Sequence, residues 1–273
     1  MNTNVISRKR KIVVHYHIYK TAGSTIMDGL KTHFGQDSFF ELDKHPEYAQ
    51  VPAYNISFFE KLADARPEAM AFTAHRVVPN IHFSTRLDVY PITFVRHPLL
   101  RANSVYRFEK LRNDVWPRKE IAQKYDLDGW IDWCLETDRG IEGRNAQSRL
   151  LSLSDQGQHA SHPKSNLRNG DLQPAGELQL VYERLDAMPT VGVVEMFELS
   201  LATINRHGKK HFDGFHIDNV QVNSTKIVGD WRTELEDVEK SLPNSLLDRF
   251  YAGNAEDLAL FERYRARLEQ QQD

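Results

Sequence analysis

Hydrophobic positions follow two rhythms along this chain. The short apolar runs "KIVVHYH" (11–17), "AMAFTA" (69–74), "YPITFVR" (90–96) and "TVGVVEM" (190–196) have the length of strands. Continuous runs of this kind mark strands covered on both faces. Between them the period lengthens. Residues 24–34 repeat apolar side chains at helical spacing and stop at Gly35, a residue suited to the position just past a helix end. Pro98 opens a second helix, whose stripe is Leu99, Ala102, Val105, Tyr106 and Phe108. A third helix is predicted over 198–207. Residues 118–151 and 174–187 are mostly helical in pattern, and the tail 230–270 divides into two or three helices, one starting near Pro243. Strands alternating with helices predict an α/β fold, with an open parallel sheet at the centre, helices on both faces and a helical C-terminal tail. One domain over 1–273 accommodates these elements. The polar stretch 154–173 has almost nothing to bury, and is expected to be a surface loop, a flap or a disordered insertion.

Composition adds limits. At 273 residues, 40% hydrophobic and 27% charged, the chain has an ordinary globular make-up and can bury a sizeable core. The net charge of −3 predicts no nucleic-acid partner; any anion site must be a local basic patch. Cys134 is the single cysteine, which excludes an intrachain disulfide and a multi-cysteine metal site and predicts a small buried side chain. No apolar run approaches the ~18 residues of a membrane span. The first residues, "MNTNVISRKRKIVV", lack the apolar core of a secretory signal, so a cytoplasmic protein is expected. The basic "RKRK" at 8–11 fits a solvated lead-in to the first strand.

Candidate chemistry lies where strands end. In an open parallel sheet, ligands bind beyond the carboxyl ends of the strands. "HIYKTAGST" (17–25) falls there, at the start of a helix, where free N–H groups and the helix dipole favour an anion. Thr21, Ala22, Gly23, Ser24 and Thr25 supply backbone and hydroxyl donors, and Lys20 supplies a full charge. A nucleotide-binding loop of the form G-x-x-x-x-G-K-[ST] places Lys after its second Gly, whereas here Lys20 precedes the loop's one Gly, Gly23. "TFVRHPLLRANSVYRF" (93–108) repeats the strand-to-helix logic, with Arg96 at the strand end and Ser104 one or two turns into the helix. A strand ending in Arg96 and His97, rather than an acid, predicts a cationic, metal-free pocket. Ser104 and Arg101 are equally consistent with ordinary helix-surface roles. His15 and His17 share a strand face at a spacing that suits a metal, but no third ligand is identified, and His17 fits better as support for the loop. His159 and His162 lie in the polar stretch and suggest no site. The basic residues of 101–119, around Trp116, are compatible with a cleft for an acidic sugar or with a solvated helix face.

These two motifs together resemble those of the carbohydrate sulfotransferases related to heparan and chondroitin O-sulfotransferases, which show H-I-P-K-T-A-G-T-S and then F-x-R-[DH]-P-x-x-R-x-x-S-x-Y. Further stretches are similar in the same order: "FTAHRVVP" (72–79), "GRNAQSRLLS" (143–152), "VGVVEMFELSL" (191–201) and "VQVNST" (220–225). The resemblance implies a P-loop-like three-layer fold, the donor 3′-phosphoadenosine-5′-phosphosulfate (PAPS) and a carbohydrate or other hydroxylated acceptor. It implies that Lys20 and residues 21–25 hold the 5′-phosphosulfate, that Arg96 and Ser104 hold the 3′-phosphate, and that His75 is the catalytic base, with Lys20 assisting the leaving group. Tyr19 departs from the family's Pro, and Ala74 from its Gly. Two alternatives stay open on the residues alone: a P-loop kinase of a small molecule, and an inactive module that binds adenosine bisphosphate or polyanions.

Overall fold

The computed structural model describes residues 9–113, 117–136, 144–154, 176–219 and 230–271. In chain order its elements are β1 (Arg10–Tyr16), α1 (Gly23–Phe34), β2 (Phe39–Glu41), α2 (Ile56–Ala65), β3 (Ala71–Ala74), β4 (Leu87–Val95) and α3 (Pro98–Leu111). After these come α4 (Pro117–Lys124), α5 (Leu127–Glu136), α6 (Ala146–Leu151), α7 (Gly176–Asp186), β5 (Gly192–Val193) and α8 (Phe197–Gly208). The C-terminal part is α9 (Trp231–Lys240), α10 (Asn244–Gly253) and α11 (Ala255–Gln270), a helical tail as the pattern predicts.

The strands form one parallel sheet in the order β2-β3-β1-β4-β5. The chain leaves β1 toward the β3 side and leaves β4 toward the opposite edge. β1 and β4 are neighbours, so the sheet's switch point lies between them, where an α/β sheet opens a crevice. The loops 17–22 and 96–97 both emerge there.

Alternation along the strands feeds two cores. Ile12, Val14 and Tyr16 of β1 join Phe72 of β3, Phe59 of α2, Val181 of α7 and Phe261 of α11 on one face. Val13, Tyr90, Ile92 and Phe94 meet Ile26 and Leu30 of α1 and Leu201 and Ile204 of α8 on the other. Helices thus cover both faces, giving three layers. Each fully buried side chain of this kind contributes about 1.5–3 kcal/mol. A third cluster joins Leu99 and Val105 of α3 to Trp130 of α5, Val238 of α9 and Phe250 of α10, and includes the buried Cys134.

Three elements differ from the sequence pattern. β2 has three residues, too few to show alternation, and α2 starts at an Asn55 side-chain cap that accepts from the Phe58 N–H at 3.0 Å. The run 190–196 is strand only at Gly192 and Val193, after which Val194–Met196 turns as a 3₁₀ helix. Ser200 of α8 is the cause. Its hydroxyl accepts from the Val193 N–H at 2.8 Å and lies 3.0 Å from the Val193 carbonyl and 2.9 Å from that of Met196, taking over the groups a longer ladder would use. Apart from Ser154, the predicted loop at 154–173 lies outside the described residues, as do 220–225 and Trp116. Among the described residues no helix is long and apolar enough to cross a membrane.

Candidate active site

The loop between β1 and α1 holds two non-glycine residues in the left-handed region, Lys20 at φ 65° and Ala22 at φ 64°. Each such residue costs on the order of 1 kcal/mol and persists only where its surroundings over-determine it. Those surroundings are visible. Thr21 is buried, and its hydroxyl donates to the Ile18 carbonyl at 2.9 Å. Arg96 Nη1 donates to the Lys20 carbonyl at 3.3 Å, and Arg101 Nη1 donates to that of Tyr19 at 3.3 Å. The Tyr19 hydroxyl donates to Glu109 Oε1 of α3 at 3.0 Å. So the residue that departs from the resembling motif ties the loop to α3, a role that no pattern within the loop reveals.

At the start of α1 the N–H groups of Gly23, Ser24 and Thr25 have no intrahelical acceptor, since the first helical bond runs from Ile26 to Ala22. The hydroxyls of Ser24, Thr25 and Ser104 make no hydrogen bond among the described residues and remain open to a ligand, whereas that of Thr21 is spent on the loop itself. Lys20 Nζ lies 4.3 Å over the Phe108 ring, a cation–π contact. Burial lowers the Lys20 pKa, Arg96 lowers it further, and Glu109 opposes both.

Three histidines stack beneath the loop. The His15 and His17 ring centroids are 5.1 Å apart, and those of His17 and His75 are 4.1 Å apart. His15 is wholly buried, with Nδ1 2.9 Å from the Thr73 hydroxyl, and burial lowers its pKa to about 3. Burial likewise lowers that of His17. Stacked rings do not converge on a point, and among the described residues no group of three or more His, Cys, Asp or Glu side chains is arranged to hold a metal ion. His17 does support the loop: its ring lies against Gly23, where an added Cβ would stand 1.8 Å from Nε2.

His75, half-buried just past β3, is fixed at two points. Its N–H donates to Asp43 Oδ2 at 2.8 Å, and its Nδ1 lies 2.9 Å from the His17 carbonyl. A carbonyl only accepts, so Nδ1 carries the proton and Nε2 is left as the acceptor of the neutral ring.

Arg96 is held by its backbone. The Gln147 side chain accepts from the Arg96 N–H at 2.8 Å and donates to the Arg96 carbonyl at 2.8 Å. Asp257 of α11 accepts from the Gln147 N–H at 3.0 Å and the Ser148 N–H at 2.8 Å, capping α6. Asn145 and buried Arg149 belong to the same stretch. Asn145 Oδ1 accepts from the N–H groups of Glu256 and Asp257, a structural role.

A carboxylate that the strand-end argument did not foresee sits beside Arg96. Glu195, just past β5, has a side chain only 1% exposed; its Oε1 lies 3.6 Å from Arg96 Nε and accepts from the His97 N–H at 3.1 Å. Burial, the largest cause, raises its pKa to about 7 against the opposing charge of Arg96. The strand-end argument, which rested on Arg96 and His97, is therefore incomplete: a buried acid at the end of the neighbouring strand stands beside the cation. The sequence signal was available, because Glu195 is the acid of the "VGVVE" stretch.

No family model matches the chain. It is similar to an uncharacterized protein of Archaeoglobus fulgidus, 28% identical over 265 residues that span 93% of this chain and 96% of that protein. The likeness therefore runs through the whole fold rather than through one motif.

Proposed function

We propose that this protein is a PAPS-dependent O-sulfotransferase that acts on a carbohydrate or another hydroxylated acceptor in the cytoplasm. One observation carries the reading. Two cation-bearing loops, one presenting Lys20 at a helix start and one presenting Arg96 at a strand end, meet across the switch point, with Arg96 Nη1 3.3 Å from the Lys20 carbonyl. Two linked anion sites suit a nucleoside with phosphates at both ends, and the motif resemblance supplies the identity of that nucleoside.

The donor supplies a sulfuryl group whose bond to the 5′-phosphate oxygen breaks as the acceptor oxygen bonds to sulfur. Lys20, with the N–H groups of Gly23, Ser24 and Thr25 and the open hydroxyls of Ser24 and Thr25, holds the 5′ end and stabilises the charge developing there. One such donor is commonly worth about 10²–10³ in rate. Arg96 and Ser104 hold the 3′-phosphate. His75 Nε2 takes the proton of the acceptor hydroxyl, a contribution of about 10²–10⁴. The hydrogen bond from Nδ1 to the His17 carbonyl selects the tautomer in which Nε2 is the acceptor.

The test is a calorimetric comparison, without Mg²⁺, of 3′-phosphoadenosine-5′-phosphate with ADP. The 3′-phosphate is expected to tighten binding by about tenfold or more, the scale of one charge-assisted hydrogen bond. Equal affinity removes the role of Arg96 and Ser104 and, with it, the donor assignment.

A further inference from the structure

We propose that Glu195 is the buried counter-ion that an incoming anion displaces from Arg96, and that an anion drawing the Arg96 guanidinium to itself leaves Glu195 to take up one proton from solvent. The charges balance: the anion replaces the carboxylate beside Arg96, and the proton neutralises the carboxylate. The inference deepens the function proposed above, but needs from it only that the end of β4 is an anion site.

The pair is close yet incomplete. Glu195 Oε1 is spent on the His97 N–H, while Oε2 has no hydrogen-bond partner, and neither does Arg96 Nε. Ion pairs buried without hydrogen bonds are weakly held. An anion able to engage the guanidinium in a bidentate fork therefore competes well for it. The guanidinium is the part that responds, because Gln147 clamps the Arg96 backbone at both its N–H and its carbonyl, while the guanidinium is held by a longer 3.3 Å bond from Nη1 to the Lys20 carbonyl. The groups that act on Glu195 are Arg96 and the His97 N–H from the end of β4, and Glu234 from α9. Arg101 and Arg107 of α3 act on Arg96. Burial and Glu234 favour the neutral acid, and Arg96 alone among the charged groups opposes it. The carboxyl already sits at about 7, so removing the influence of Arg96 carries it across neutrality.

Inorganic sulfate is the probe, since it does not titrate near neutrality and any proton taken up belongs to the protein. Two quantities are measured: sulfate affinity at pH 6 and pH 8, from the dependence of Tm on sulfate concentration, and proton uptake on adding sulfate in lightly buffered solution near pH 7.5. Wild-type protein is expected to bind about five- to tenfold more tightly at pH 6, the range set by a rise of one pKa unit or more from about 7, and to take up a fraction of a proton. Glu195→Gln, whose amide oxygen can still accept from the His97 N–H, is expected to bind equally at both pH values with the wild-type pH 6 affinity, and to take up none. His97→Asn, which keeps the backbone N–H that Glu195 accepts from, is expected to retain the wild-type uptake, which excludes the imidazole beside Arg96 as the proton acceptor. A wild-type pH slope in Glu195→Gln, a loss of its affinity at both pH values, uptake that vanishes in His97→Asn, or absence of sulfate binding overturns the proposal. The wild-type uptake stands without the variant: no proton taken up is refutation enough. Equal affinity for 3′-phosphoadenosine-5′-phosphate and ADP alongside pH-dependent sulfate binding defeats the donor assignment and leaves this inference intact.

Discussion

Gly23→Ala probes whether the loop, His17 and His75 form one packed unit. An ideal Cβ at Gly23 falls 1.8 Å from His17 Nε2, 2.3 Å from its Cδ2 and 2.5 Å from its Cε1. Relief requires the ring to retreat by about 1.7 Å to reach ordinary contact near 3.5 Å. Tilting out of plane drives the ring into His15 on one side, centroids 5.1 Å apart, or His75 on the other, 4.1 Å apart. Overpacking of this kind costs about 1–3 kcal/mol. Ala recovers at most about 1 kcal/mol as a better helix former than Gly. The expected net loss is about 1–2 kcal/mol, seen in urea as a lower midpoint with an unchanged m-value. His17→Ala removes the obstructing ring, so in that background Gly23→Ala should cost nothing or stabilise. The double-mutant cycle should then report a coupling of about 1–2 kcal/mol. An equal cost in both backgrounds, or no cost in either, refutes the packing argument.

Other outcomes can be stated more briefly. Tyr19→Phe deletes the hydroxyl that donates to fully buried Glu109, and is expected to lower stability in urea by about 1–3 kcal/mol; an unchanged midpoint contradicts the strap between loop and α3. Ala22→Gly relieves a left-handed residue at the expense of chain entropy, and should stabilise by about 0.5 kcal/mol on the same measure, whereas destabilisation means the loop is not strained there. His75→Ala should cut acceptor turnover by about 10²–10⁴ while leaving nucleotide affinity within twofold or so, and full activity excludes it as the base. Burial holds His15, His17, His82 and His97 neutral in the fold, with His15, His82 and His97 at about 3, 4 and 4 and His17 lowered in the same direction, so their contribution to stability is complete above about pH 6.5 and is lost as the unfolded chain takes up protons below it. Glu195, raised to about 7, works in the opposite sense between about pH 4.5 and 7 and cancels one proton. Stability near pH 5 should therefore fall by roughly 4 kcal/mol per pH unit of acidification, and a flat urea-midpoint profile from pH 6.5 to 4.5 counts against it.

Legibility in the sequence followed physical locality. β1, β3 and β4 stand out because strands covered on both faces need unbroken apolar runs, and α1 and α3 because Gly35 and Pro98 punctuate them. Lys20 and Arg96 could be picked out singly, since a strand end followed by a helix start is a local feature that predisposes to anion binding. β2, at three residues, carries too little pattern to register, and β5 is shortened by Ser200, seven residues away on another element.

Periodicity and the signals at element ends are enough to read the α/β class, the covered strands and the two loops that carry cations. How those loops are held and charged emerges only when the chain is folded. Gln147 and Asp257 clamp Arg96, Glu109 anchors the unexpected Tyr19, and Glu195 sits beside Arg96 as a buried acid. Each of these partners lies far along the chain from the residue it serves. Local periodicity records which face of an element is buried, but a hydrogen bond or ion pair between distant segments exists only once the sheet order brings them together.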